Sequence, residues 1–178
     1  MKKISFLFAA VILLGFSSCS PTLRPFTQRL YEENEWSESE LKRVQFYLSQ
    51  DIVLRRQASR ASSRIEEGAI KVRNGRKVEE VVIRKGTPGV LLFIPKDERF
   101  AVSFEDNDKF LMFGPNPKAG DRYVLLASDW NNRQGKVTYG EGKYWVDANN
   151  GIASLMVDLK RVRNTSVKSR TVGGRKVN

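Results

Sequence analysis

The stretch Arg99-Phe100-Ala101-Val102-Ser103-Phe104-Glu105-Asp106-Asn107-Asp108-Lys109-Phe110-Leu111-Met112-Phe113 reads as two strands and the turn between them. From Arg99 to Glu105 the residues alternate, with Phe100, Val102 and Phe104 on one face and Ala101, Ser103 and Glu105 on the other. Strand side chains repeat with a period of two, so this is the pattern of a half-buried strand. Asp106-Asn107-Asp108 supplies turn chemistry, because short polar side chains bond to their own backbone. Lys109–Phe113 is apolar on both faces, which predicts a strand that is central or covered on both sides.

The same period extends in both directions. Upstream, Ala69–Arg73 and Arg76–Lys85 flank Asn74-Gly75, the preferred dipeptide of a type I′ hairpin turn. Gly86-Thr87-Pro88-Gly89 then turns the chain into Val90–Ile94. Downstream, Gly114–Asp121 carries two prolines and two glycines and reads as a loop. Beyond it lie strand candidates at Arg122–Ala127, Lys136–Tyr139, Lys143–Ala148 and Ile152–Lys160, joined in part by Tyr139-Gly140-Glu141-Gly142 and Asn149-Asn150-Gly151. Short strands punctuated this often predict an antiparallel barrel or sandwich.

One helix is expected ahead of the strands. In Trp36-Ser37-Glu38-Ser39-Glu40-Leu41, Ser37 and Glu40 form a capping box, and Trp36 and Leu41 occupy the staple positions on either side. Leu41, Val44 and Leu48 then recur on one helical face, which predicts a helix over 38–50. The fold class is therefore mainly β (α+β), with one N-terminal helix packed on the barrel or sandwich. Ile52-Val53-Leu54 favours a strand, and residues 57–64 an exposed connection. Ser20–Asn34, with Pro21 and Pro25, reads as a tether.

The chain opens with Met1-Lys2-Lys3, continues with an apolar run from Ile4 to Phe16 and closes that segment with Ser17-Ser18-Cys19. This is the order of a secretory signal: a charged start, an apolar middle and small residues before the cut. The apolar run falls short of the roughly 20 residues that span a bilayer. Phe16-Ser17-Ser18-Cys19 resembles the lipobox of bacterial lipoproteins, in a relaxed form similar to that of Bacteroidota lipoproteins. It departs from the strict form at Phe16, where Leu is usual, and at Ser18, where Gly or Ala is. The resemblance covers residues 1–20. It implies cleavage before Cys19, a diacylglycerol on its sulfur and usually an acyl chain on its new amino group. Ser20-Pro21-Thr22-Leu23-Arg24 lacks both the Asp that marks inner-membrane retention and an acidic surface-export run, which implies the periplasmic face of the outer membrane. The domain organisation expected is a signal peptide over 1–18, a lipidated tether over 19–35, a helix-plus-β domain over 36–160 and a basic tail over 161–178.

Cys19 is the only cysteine, so no disulfide is available and the fold must rest on its core. Roughly 160 residues remain after cleavage, enough for one domain with a real core. The net charge is +11, of which Lys2 and Lys3 would leave with the leader. A basic surface points to anionic partners. An exported address excludes nucleic acid and leaves phospholipid head groups, cell-wall carboxylates or an acidic protein. The last residues concentrate this charge in Lys160, Arg161, Arg163, Lys168, Arg170, Arg175 and Lys176, with nothing acidic. Such a segment cannot bury enough apolar surface to fold alone.

The chain has no histidine, which removes Ser-His-Asp and Cys-His catalysis and histidine metal sites. No nucleotide-binding glycine loop is present. No cofactor is expected. Two carboxylates would suffice for a glycan hydrolase, and Asp97, Glu98, Glu105, Asp106, Asp108, Asp129 and Asp147 are the candidates. Most fall at turns, where local backbone bonding accounts for an acidic residue. A non-enzymatic role is therefore expected. If Tyr144 and Val146 face the core, alternation puts Lys143, Trp145 and Asp147 on the opposite face. An exposed Trp between charges suits a glycan or protein contact, and Trp130, read as a loop residue beside Asn131 and Asn132, is a second candidate. The alternative is that Trp145 packs beneath another segment and Trp130 plugs one end of the fold. The functional expectation is a scaffold or accessory subunit of an envelope assembly or secretion complex, with a cell-wall binding module as the alternative.

Overall fold

A computed structural model describes residues 22–57, 69–73, 76–96, 98–131, 133–149 and 152–163. The leader and Cys19, the connection at 58–68, the Asn74-Gly75 turn, Asp97, Asn132 and the residues from Asn164 onward lie outside the described residues. The strands are β1 (Leu23–Pro25), β2 (Phe46–Leu48), β3 (Ile52–Gln57), β4 (Ala69–Arg73), β5 (Arg76–Ile83), β6 (Pro88–Phe93), β7 (Phe100–Ser103), β8 (Leu111–Asn116), β9 (Arg122–Leu125), β10 (Ser128–Asn131), β11 (Gln134–Tyr139), β12 (Gly142–Asp147) and β13 (Leu155–Asp158). Three short helices complete the set: α1 (Gln28–Asn34), α2 (Glu38–Leu41) and α3 (Leu159–Arg163).

The protein is mainly β, and its strands form two antiparallel sheets. One is ordered β1-β13-β2-β6-β7-β8-β9, the other β10-β11-β12-β3-β5-β4. The two strands of the opening stretch, β7 and β8, are adjacent, with Phe100 opposite Phe113 and Val102 opposite Leu111. Both lie inside the first sheet, as the two-sided apolarity of 109–113 predicted. The edges of this sheet approach each other: Tyr123 N donates to Phe26 O (3.1 Å) and Leu125 N to Ala153 O (2.8 Å). No continuous ladder closes the sheet, so the barrel alternative is not what forms.

The chain changes sheets after β2, β5, β9 and β12. Three of these corners, after β2, β5 and β12, are tied together. Ser49 N donates to Ser154 O (2.9 Å), Ser154 N to the Ser49 hydroxyl (2.8 Å), and Gly86 N to Leu48 O (2.8 Å). Gly86 has φ +76, a left-handed conformation that costs glycine little. Residues of both sheets bury their side chains in one apolar cluster, from Phe46, Phe100 and Phe113 to Ile52, Leu54 and Val146.

Two expectations at the N-terminal end are corrected. The stretch read as a tether is structured from Leu23 onward: β1 pairs with β13, and α1 follows with Thr27 as its N-cap. The reason is Phe26, which is completely buried and contacts the rings of Trp36, Phe46, Phe100 and Tyr123 at 4.9–6.0 Å between centroids. The capping box is present, with Ser37 N donating to the Glu40 carboxylate (2.9 Å) and Glu40 N to the Ser37 hydroxyl (3.3 Å). Trp36 and Leu41 are both buried. The helix ends at Leu41, however, rather than near residue 50. Phe46-Tyr47-Leu48 forms β2 between β13 and β6, where two neighbours satisfy its backbone. Val44 and Leu48 are buried, but Leu48 reaches the core from a strand. At the other end, α3 takes in residues 161–163 of the expected tail, and Val162 is buried.

Gly89 on β6 marks the tightest packing against a strand backbone. A Cβ there would lie 2.5 Å from the Phe104 ring and 3.0 Å from the Ser103 carbonyl oxygen. Gly89→Ala is expected to cost about 1–3 kcal/mol through overpacking. The check is a lower urea midpoint with an unchanged denaturant slope.

Candidate binding surface on the second sheet

The outward face of the second sheet is assembled one cross-strand row at a time. On β12, Tyr144 and Val146 are buried, whereas Lys143 and Trp145 are exposed, as alternation predicts. Lys136 of β11 stands opposite Trp145, Trp145 opposite Arg55 of β3, and Arg55 opposite Glu80 of β5. Residues directly opposite each other share a face, so Lys136, Trp145, Arg55 and Glu80 form one row. The Lys136 ammonium sits 5.0 Å from the centroid of the Trp145 ring. That is the geometry of a cation–π contact.

Arg55 ties this row to the next. Its Nε donates to Glu80 (2.9 Å) and its Nη1 to Asp147 (2.8 Å), while Gln134 Nε2 donates to the same Asp147 (3.2 Å). Partial burial works against the Arg55 charge, but the hydrogen bonds to Glu80 and Asp147 outweigh it and raise the pKa. Gln134 and Asp147 border a polar hollow of about 390 Å³, completed by Arg133, Ala148 and Asn149. Chemically, this face offers a partly exposed indole framed by fixed charges of both signs.

Trp130 does not join it. It lies on β10, half exposed, and its ring packs where a Cβ on Gly135 would project. Gly135 belongs to the buried-face set of β11 with Val137 and Tyr139, so Trp130 and Trp145 sit on opposite sides of the sheet. The pairing of the two tryptophans in one glycan site is therefore not assembled. Lys168, Arg170, Arg175 and Lys176 lie outside the described residues.

A second polar group lies on the inward face, where β11 and β12 meet the β7–β8 turn. Glu79 accepts from Arg56 Nε (2.7 Å) and from the Tyr144 hydroxyl (2.9 Å), and the Arg56 guanidinium lies 4.9 Å from the Tyr144 ring centroid. Nearby, Glu105 accepts from the Tyr139 hydroxyl (2.6 Å) and from Asn107 Nδ2 (2.6 Å). Burial would raise the Glu79 pKa, but the bonds from Arg56 and Tyr144 hold it below the ordinary carboxylate value. Burial, reinforced by the bond to Glu79, pushes the Tyr144 phenol up to about 12. The Tyr139–Glu105 bond fastens the β7–β8 turn of one sheet to a strand of the other. This makes Glu105 a structural acceptor as the structure stands.

The remaining carboxylates are dispersed. Asp129 pairs with Lys136 (3.3 Å), Asp106 and Asp108 are exposed in the β7–β8 turn, and Glu98 has φ +58 in the turn before β7. Sequence reasoning missed Arg55, Glu80 and Lys136. Their charge was visible, but their placement beside Trp145 depends on pairings between strands far apart in the chain. Comparison with protein-family models, curated proteins and solved structures finds no match.

Proposed function

We propose that the chain is a lipid-anchored envelope protein at the periplasmic face of the outer membrane. In this reading it acts as a non-enzymatic scaffold or accessory subunit of an envelope assembly or secretion complex. The observation that carries the reading is the order Met1-Lys2-Lys3, Ile4–Phe16, Ser17-Ser18-Cys19, with the chain's only cysteine at the cut. A diacyl or triacyl anchor gives stable membrane attachment, which one chain does not. The basic C-terminal residues suit an acidic protein or anionic head groups close to the anchor. Cys19→Ala is expected to move the protein from the membrane to the soluble fraction, and intact-mass measurement of the native protein should find the Cys19 sulfur acylated. A bare sulfur, or a variant that stays with the membrane, overturns the anchor. In-cell crosslinking should recover a constant set of envelope proteins.

A cell-wall binding role is favoured by one observation, the partial exposure of Trp145 beside the hydrogen-bonding groups of Asp147 and Gln134. Lys136 covering that ring, and Trp130 on the other side of the sheet, weigh against it. Sedimentation with purified cell wall separates the readings. Binding that Trp145→Ala abolishes would establish the glycan role, and absence of binding would remove it.

A further inference from the structure

A groove of about 300 Å³ opens where the chain crosses from β9 to β10 and the two sheets part. Phe110, Met112 and Leu126 form its apolar wall, and Arg99 and Lys136 stand at its sides. Phe93, exposed at the end of β6, extends the wall through its edge contact with Phe110 (5.1 Å).

The rim of the groove is an unfinished sheet edge. Ala148 N donates to Arg133 O (2.7 Å), so the odd-numbered residues of β11 turn their backbone groups toward β12. The even-numbered ones face β10, as the bond from the Ser128 hydroxyl to Lys136 O shows. The β10 ladder reaches only from Gln134 to Lys136. Thr138, next in that series, directs its N–H and C=O toward the groove, and no described residue pairs with them there.

We propose that this groove takes an extended acidic segment of a partner protein, which adds as a strand beside Thr138 and sets apolar side chains against Phe110, Met112 and Leu126. The unfinished edge selects a peptide over an acyl chain, because only a backbone supplies a donor and an acceptor to Thr138. Charge sets the sign. Arg99 makes no ion pair among the described residues, whereas the Lys136 ammonium is already paired with Asp129 (3.3 Å), so Arg99 supplies the uncompensated charge at the groove. The chain's own C-terminal segment is unsuited, since Lys168, Arg170, Arg175 and Lys176 carry the same sign as these two groups. The segment must be short, because the groove holds only a few side chains. The proposal gives the partner of the scaffold reading a chemistry, and it stands or falls without the anchor, which fractionation tests separately.

The test is fluorescence anisotropy with the full chain and a labelled eight-residue peptide of alternating Val and Asp. Saturable binding is expected, weakened at least tenfold by Arg99→Glu and at least tenfold when alternate peptide amides on one edge are N-methylated. Thr138→Pro removes the edge donor at a position where an edge strand tolerates proline, and it should weaken binding similarly. The methylated peptide keeps the test decisive if that variant does not fold. No binding, equal binding of the alternating Val and Lys peptide, indifference to methylation, or displacement by oleate in place of peptide binding would each overturn the proposal.

Discussion

Phe26→Ala is expected to lower the unfolding free energy by about 3–5 kcal/mol, the usual cost of deleting a buried phenyl ring together with the cavity it leaves. The site has little room to relax. Phe26 is completely buried, and its ring lies 5.3 Å from Phe46 at an interplanar angle of 86° and 4.9 Å from Tyr123 at 67°. These edge contacts add to the area term. Its backbone also bridges strands that are remote in sequence, since Phe26 N donates to Leu155 O (2.9 Å) and Phe26 O accepts from Tyr123 N (3.1 Å). The loss should therefore reach the approach of β9 to β1 and β13 as well as the local turn. Equilibrium urea unfolding followed by Trp fluorescence measures it. A change below about 1 kcal/mol would place Phe26 outside the working core.

Replacing Glu79 with Ala is expected to cost about 2 kcal/mol, because it strips charge-assisted bonds from Arg56 and Tyr144 at once. Its pH dependence has two limbs. Glu79 titrates below its unfolded value, so its contribution is present above the ordinary carboxylate range and is lost as pH falls through the depressed folded pKa. Glu79→Gln should flatten that acid limb. Tyr144 is raised to about 12, so its contribution is intact below the ordinary phenol value near 10 and drains away between pH 10 and 12. Tyr144→Phe should reduce the alkaline limb without abolishing it. Tyr123, fully buried and donating to Gln28 Oε1 (2.7 Å), is raised mainly by burial and acts with the same sign. Unfolding midpoints measured across pH 3–12 for the three proteins check both limbs.

The candidate surface was half legible in the chain. Alternation sorted Lys143 and Trp145 onto one face and Tyr144 and Val146 onto the other, because strand side chains repeat with a period of two, and burial of Tyr144 and Val146 decided which face is inward. It could not supply Arg55 and Glu80, which reach Trp145 only through the β12–β3 and β3–β5 pairings. Nor could it tell that Trp130 belongs to a strand, since Ser128–Asn131 has no apolar alternation and is exposed throughout. The groove beside Thr138 was invisible for the same reason. It exists because one ladder stops at Lys136 and leaves an edge, and an absent neighbour writes nothing into local sequence.

By itself the sequence determined what depends on neighbours a few residues apart. It marked the capping box at Ser37 and Glu40, where most turns fall, and the leader that carries the proposed address. The strand read as half-buried at Arg99–Glu105, however, is buried on both faces, Ala101 and Ser103 along with Phe100 and Val102. Tertiary structure decided whatever depends on who sits opposite whom. Phe46–Leu48 is a strand because β13 and β6 flank it, although Leu41, Val44 and Leu48 keep a helical spacing. Leu23–Asn34 is part of the fold because an aromatic cavity exists for Phe26. Strand pairing brings together residues as far apart as Arg55 and Asp147, 92 positions along the chain, and periodicity records a face without naming its partner.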